Sequence, residues 1–312
     1  MHRGHGRLVL TLALAVAGCS SRDKPDRSFD TRVSKPAYAA DGPRTLFDEA
    51  HHNWHRARRS YRPFVDLVES DGYRVERGSR KITAAGLEPY ALLVVAAAVG
   101  TNERNDDPAF DATECDAIRD WVAGGGSLLL ITDHYPLGHA VESLAGRFGV
   151  QLSKGVVEDS VQADPSFDET HLVFSRENGG LAEHPIVEGR DASERIGRVL
   201  TFTGEAVYAE PPALGFLRLS STAVARPPEP VVERRGKDVI VNVGYGDLAA
   251  VPGWSQALAL EVGSGRVVVL GEAAMLSAQL RRFDGRPVGM NVAGYDNRQL
   301  ALNIVHWLTK LL

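Results

Sequence analysis

Histidines and acids gather in a few short stretches of this 312-residue chain, and those stretches are where chemistry could sit. Asp48-Glu49-Ala50-His51-His52-Asn53-Trp54-His55 places three imidazoles beside two carboxylates. Asp133-His134 follows one aliphatic run and Gly271-Glu272 follows another. Imidazole–carboxylate sets can move protons, polarise a bound ligand or hold a divalent cation. An acid–base reading gives the proton-transfer roles to Glu49 or His134, with Asp133 orienting the imidazole or a metal. A binding reading gives Asp48, His51, His52, Asn53 and Glu272 to a small polar ligand. His51 and His55 are four apart, one helical turn, so a metal site built from His51, His55 and His134 leaves room for zinc. The residue after His51 is His52 and not the glutamate a zinc protease uses as base, so that class is disfavoured.

Other chemistries lack their signatures. No G-x-S-x-G elbow is present, and neither a P-loop nor G-x-G-x-x-G follows any aliphatic run, so no nucleotide cofactor is supported. Cys115 stands between Glu114 and Asp116, where carboxylates raise a thiol pKa, and reads as a packing residue. The polar stretch Thr101 to Asp107 reads as turn chemistry.

The elements that must carry these residues alternate. Arg44–Phe47 reads as a strand, residues 61–71 as a helix with one apolar face, and Tyr73–Val75 as a short strand. Ala91–Ala96 and Ser127–Thr132 are unbroken apolar runs, as strands covered on both faces require. Between them Asp111 and Glu114 form a capping box opening a helix through Val122. Residues 155–238 break the rhythm with prolines and short strand-like pieces, and read as an antiparallel insertion. The rhythm resumes at 239–243, 257–262 and 267–270, and a helix closes the chain over 297–312. This predicts one α/β domain over 43–312, a doubly wound, mostly parallel sheet whose strand ends would gather the polar stretches into one crevice.

The N-terminus reads as an export signal: Arg3 and Arg7, then ten apolar residues from Leu8 to Ala17, too few to span a membrane. Val16-Ala17-Gly18-Cys19 resembles the lipobox of bacterial lipoproteins. That resemblance implies a signal over 1–18, acylation of Cys19 and a periplasm-facing envelope lipoprotein, with Ser20 favouring the outer membrane. Residues 19–42 are polar and predict a flexible tether. The formal net charge of -5 offers no footprint for nucleic acid.

Four phrases carry a wider resemblance: Leu46-Phe47-Asp48-Glu49-Ala50-His51-His52-Asn53, the stretch from Trp121 to His134, Gly265 to Glu272, and Asp296 to Asn303. Together they resemble a bacterial group with a class I glutamine-amidotransferase-like fold, similar in layout to trehalose-utilisation-type proteins and gliding-motility auxiliary domains. In amidotransferases of this fold the strand after the glycine-rich helix end leads to a catalytic cysteine. Here Asp133-His134 stands there, so glutamine hydrolysis through a Cys–His–Glu triad is not implied. Two roles stay open: binding a small polar ligand, such as a carbohydrate, or an envelope protein; and acid–base or metal-assisted hydrolysis of carbohydrate or cell-wall material.

Overall fold

The structure is a computed structural model that describes residues 23–39, 41–100, 108–135, 139–235 and 238–312. The expectations placed on the export signal, Cys19 and residues 101–107 lie outside the described residues.

In chain order the elements that build the site are β1 (Arg44–Asp48), α1 (Arg62–Ser70), β2 (Arg74–Gly78), β3 (Leu92–Ala96), α2 (Ala112–Ala123), β4 (Ser127–Ile131) and α3 (Glu142–Gly146). There follow β5 (Gln151–Leu152), β6 (Val207–Tyr208), β7 (Leu214–Arg218), β8 (Ser255–Val262), β9 (Gly265–Leu270) and α4 (Asn297–Leu308). One nine-stranded sheet runs β2-β1-β3-β4-β9-β8-β6-β5, with β7 also paired to β8. The pairs from β2 through β9 are parallel. From β8 outward every pair is antiparallel. The fold is therefore mixed α/β, and the expected mostly parallel sheet is corrected to a mixed one.

Burial explains the parallel half. Every residue of β3 and β4 is buried, because alternate side chains enter different cores. Leu92, Val94, Leu129 and Ile131 meet Phe64, Leu67, Leu300 and Ile304 of α1 and α4. Leu93, Val95, Leu128 and Leu130 meet Cys115, Ile118 and Val122 of α2 and Leu144 of α3. The capping box at Asp111 and Glu114 forms as the sequence predicts. Cys115 is fully buried, and burial raises its thiol pKa, as a packing residue requires.

Two segments differ from expectation. Residues 238–245 do not rejoin the main sheet; they pair with 228–235 as a two-stranded hairpin. An eight-residue strand directly after an antiparallel partner closes locally before any distant edge can compete. The second is the expected tether. Over residues 23–39 it lies along the domain as a strap. Lys24–Pro25 pair with Leu280 and Gln279, and Phe29, Val33 and Tyr38 pack on the larger core. The Val33 amide donates to Ser70 Oγ at 2.9 Å and the Ala37 amide to Asp71 Oδ1 at 2.9 Å. Composition hid this, because three spaced apolar residues and borrowed hydrogen bonds are enough when a finished surface is the partner. Among the described residues no helix is long and apolar enough to cross a membrane.

Candidate functional site

The polar residues named from the sequence do collect where β1, β3, β4 and β9 end, but they separate into two centres.

The first is built around His51. β1 ends at Asp48, and the chain turns so that His51 Nδ1 lies 2.9 Å from Asp48 Oδ1. Its Nε2 lies 3.0 Å from Glu114 Oε1, in the first turn of α2. Asn53 Nδ2 donates to Asp48 Oδ2 at 3.0 Å, and Phe110 covers the ring at a centroid distance of 4.0 Å. Asp48, His51, Asn53 and Glu114 are all buried. Burial opposes a charged imidazole here, but the bonds and charges of Asp48 and then Glu114 outweigh it and raise the His51 pKa. Both ring nitrogens are engaged, so this imidazolium is a clamp between β1 and α2. It is not an open ligand, which corrects its assignment to a polar-ligand or metal set. The sequence shows Glu114 only as a cap. In the structure it is the centre's second anion, and its Oε1 also accepts the Ile82 amide at 2.9 Å.

The second centre is an acid cluster. Asp133, two residues past β4, accepts the His134 amide on Oδ1 at 2.7 Å and the Ala273 amide on Oδ2 at 3.2 Å. Glu272, two past β9, accepts the amides of Ala274 at 2.6 Å and Met275 at 2.8 Å. Glu205 completes it, accepting the Lys154 amide at 2.7 Å. Burial raises all three carboxyls: Asp133 to about 8, Glu205 to about 8, and Glu272 well above the ordinary range, with Asp133 as its second cause. The Tyr61 hydroxyl donates to the Ala273 carbonyl beside them. Burial, then Glu272 and Asp133, raise its pKa well above the ordinary value.

Glu205 lies in the irregular stretch and carries no motif, so sequence reasoning missed it. Paired glycines bring it in. The Glu205 amide donates to the Gly271 carbonyl at 2.7 Å. A Cβ on Gly271 would stand 2.3 Å from the Glu205 carbonyl, and one on Gly204 would stand 2.5 Å from that of Gly271. Only glycine lets these two backbones approach so closely.

Its protonation can be read from Thr132. That hydroxyl lies 2.6 Å from Glu205 Oε1 and 3.2 Å from the Leu270 carbonyl. One hydroxyl hydrogen cannot serve both acceptors. If Glu205 Oε1 carries the proton and donates it to Thr132, the threonine hydrogen is free for Leu270 and both bonds are made.

His134 is the half-buried member of this centre. Its Nδ1 donates to the Tyr135 carbonyl at 2.8 Å, and its Nε2 lies 3.6 Å from Asp133 Oδ1. Burial lowers its pKa, so the ring is neutral, with Nε2 as the basic nitrogen.

The remaining candidates are placed elsewhere. Glu49 accepts the Ala57 amide at 3.0 Å and pairs with Arg77 of β2 at 3.4 Å, which corrects its placement as a base beside Asp133 and His134. His52 is exposed. His55 Nδ1 lies 2.9 Å from Ser60 Oγ, and its ring stands 4.8 Å from that of Tyr61. Among the described residues no group of three or more His, Cys, Asp or Glu side chains is arranged to hold a metal, so His51, His55 and His134 do not converge as one.

The backbone around both centres is strained. The described non-glycine residues with left-handed φ are His52, Ala97, Lys154, Thr203 and Lys310. The first four adjoin the two centres: His52 follows the clamp histidine, Ala97 ends β3, Lys154 donates to Glu205 and Thr203 sits two before it. Such residues cost about 1–3 kcal/mol each and gather at functional sites.

No protein-family model matches the chain, and no curated protein matches it. Solved structures are similar. The mmIFT52 N-terminal domain covers 85% of this chain and 97% of its own length at 14% identity, with a TM-score of 0.59. A ThuA-like protein from Bacteroides uniformis ATCC 8492 covers 88% and 93% at 12% identity, TM-score 0.41. A GMP synthase protein from Thermoplasma acidophilum covers 86% and 96% at 9% identity, TM-score 0.42. At these identities the likeness is one of fold.

Proposed function

We propose that the chain is a lipid-anchored envelope domain that binds a small polar ligand at the rim of the acid cluster, with His134 as the contact residue. The observation that carries the reading is the pairing of a half-buried neutral imidazole with a buried carboxyl held at about 8. A neutral imidazole and a protonated acid together offer one acceptor and one donor without a net charge. That suits hydroxyl or amide groups, such as those of a carbohydrate, better than an ion. The left-handed residues around the rim support a functional role over mere packing. Lipid anchoring rests on Val16-Ala17-Gly18-Cys19.

The sequence phrases around Gly124–Gly126 and Asp133-His134 further support kinship with class I glutamine-amidotransferase-like, doubly wound domains of the trehalose-utilisation type. In this reading His134 occupies the turn after β4 where an amidotransferase carries its cysteine.

Thermal unfolding with a panel of mono- and disaccharides, amino acids and dicarboxylates tests the binding. The expected result is at least one compound that raises the wild-type Tm and has no effect on His134→Ala, whose unliganded Tm stays near wild type. No shift with any compound, or a shift that survives His134→Ala, sinks the reading.

A second reading has one observation in its favour. The basic Nε2 of His134 beside a protonated carboxyl is also an acid–base pair. In that hydrolase the ring takes a proton from water and Asp133 supplies one to the leaving group. Release of nitrophenol from aryl glycosides, lost in His134→Ala, separates it from binding alone.

A further inference from the structure

We infer that the hairpin tip Arg281–Arg286, with the start of the N-terminal strap beside it, is the face by which this chain rests on an anionic bilayer. The inference rests on the lipid-anchor reading and adds an orientation to it.

The first observation is where the described chain begins. Asp23 is fixed to the tip itself, since the Arg282 amide donates to Asp23 Oδ1 at 3.2 Å, and Lys24–Pro25 continue as a strand against Leu280 and Gln279. Cys19 stands only four residues before Asp23. Four residues span at most about 14 Å when fully extended. An acylated Cys19 therefore holds the tip near the headgroups, whatever path the intervening residues take. A free 24-residue tether would impose no such closeness.

The second observation is what the tip presents. It closes a tight turn between Ala278–Leu280 and Pro287–Gly289, with the Arg281 amide donating to the Arg286 carbonyl and the Gly285 amide to the Arg281 carbonyl. At its apex Phe283 is 80% exposed, and Leu280 at its base is 36% exposed. A lone exposed phenylalanine is ordinary. This one is flanked by Arg281, whose guanidinium lies 4.6 Å from the ring centroid, and by Arg282 and Arg286. A groove of about 560 Å³ next to it is lined by Lys24, Arg27, Leu280, Arg281 and Arg282 among others. The acids present are engaged inward: Asp284 with Arg281 at 2.6 Å, and Asp26 with Ser28 and Asn291. An aromatic apex ringed by cations is the pattern that seats a protein at an anionic lipid interface, the ring among the acyl boundary and the cations among the headgroups.

The test uses the full chain with Phe283→Cys, carrying a nitroxide; the label is apolar and stands in for the ring, and Cys115 is buried. The acylated protein is reconstituted on phosphatidylcholine vesicles with and without phosphatidylglycerol, and the same chain with Cys19→Ser supplies the aqueous reference. Mass spectrometry of the N-terminal peptide reports acylation separately. The expected result is acylated Cys19 and loss of spin broadening by an aqueous nickel complex at 283 on the anionic vesicles. Protection should weaken on the purely zwitterionic ones and in Lys24→Glu/Arg282→Glu. An acylated chain whose label stays open to nickel overturns the face and leaves the anchor standing. Protection indifferent to lipid charge and to the double variant overturns the anionic surface. Absence of an acyl chain overturns the anchor, and the face with it.

Discussion

At the scale of single residues, one carboxyl links geometry to pH. Glu205 sits between Thr132 and the Lys154 amide, and the Thr132 hydroxyl can satisfy its second acceptor, Leu270, only if Glu205 holds the proton. Its pKa near 8, raised by burial from the ordinary glutamate value, agrees. The sign of the linkage follows. A carboxyl whose folded pKa is raised contributes stability fully below its unfolded pKa and loses it as pH rises towards the folded value. The window is therefore about pH 4.5 to 8, and Asp133 and Glu272 act in the same direction. So does His51, whose raised pKa keeps its clamp charged until the pH passes it. Glu205→Gln copies the protonated acid: its amide can donate to Thr132 while its oxygen accepts from Lys154. The variant should fold, and its Tm should fall less than wild type between pH 5 and pH 8.5. Equal slopes in thermal unfolding across that range would refute the protonated state. Legibility at this scale was uneven. Asp133, His134 and Glu272 could be found because each directly follows an aliphatic strand. Glu205 could not, because nothing in Thr203-Gly204-Glu205 announces that its backbone meets Gly271.

At the scale of elements, the parallel half was readable because each strand is buried on both faces and so appears as an unbroken apolar run. The helices α1, α2 and α4 were readable because each buries one stripe, and α2 declares its start with Asp111 and Glu114. The antiparallel half was not. β5 and β6 are two residues each, and their pairing is set by partners far away in sequence. Periodicity cannot show in two residues. The loops joining the halves depend on close backbone contact, which gives the element-level prediction. Gly271→Ala would place a methyl 2.3 Å from the Glu205 carbonyl, with backbone on both sides and no flexible side chain to yield. Overpacking of this kind costs about 1–3 kcal/mol. Chemical denaturation should show a loss in that range, and the pH slope attributed to the acid cluster should change with it, because Glu205 and Glu272 are displaced together. A fully stable variant with an unchanged slope would mean the two loops are not held as described.

For the whole molecule, the strap over 23–39 decides how the domain is presented, and it depends on one buried pair. Asp71 is fully buried at the end of α1; its Oδ2 lies 2.6 Å from His306 Nε2 of α4. Its Oδ1 accepts the Ala37 amide, and its carbonyl accepts the Tyr38 amide. The carboxylate therefore ties α1, α4 and the strap together, while Arg298 of α4 reaches the carbonyls of Asp30 and Arg32 further along. Removing one member of a buried imidazole–carboxylate pair leaves the other uncompensated, at about 3–5 kcal/mol. Asp71→Ala should thus lower the Tm, and, more specifically, release the strap before the domain unfolds. Arg27, Arg32 and Lys35 lie within the strap and are cleavable by trypsin only when it lifts. Limited trypsinolysis at a temperature where the variant's core is intact should cut it at these positions much faster than wild type. Arg298→Ala, which loosens the strap without touching the buried pair, should increase the same cleavages with little change in Tm. If both variants resist trypsin as wild type does, the strap is held by its apolar contacts through Phe29, Val33 and Tyr38, and the polar ties do not secure it.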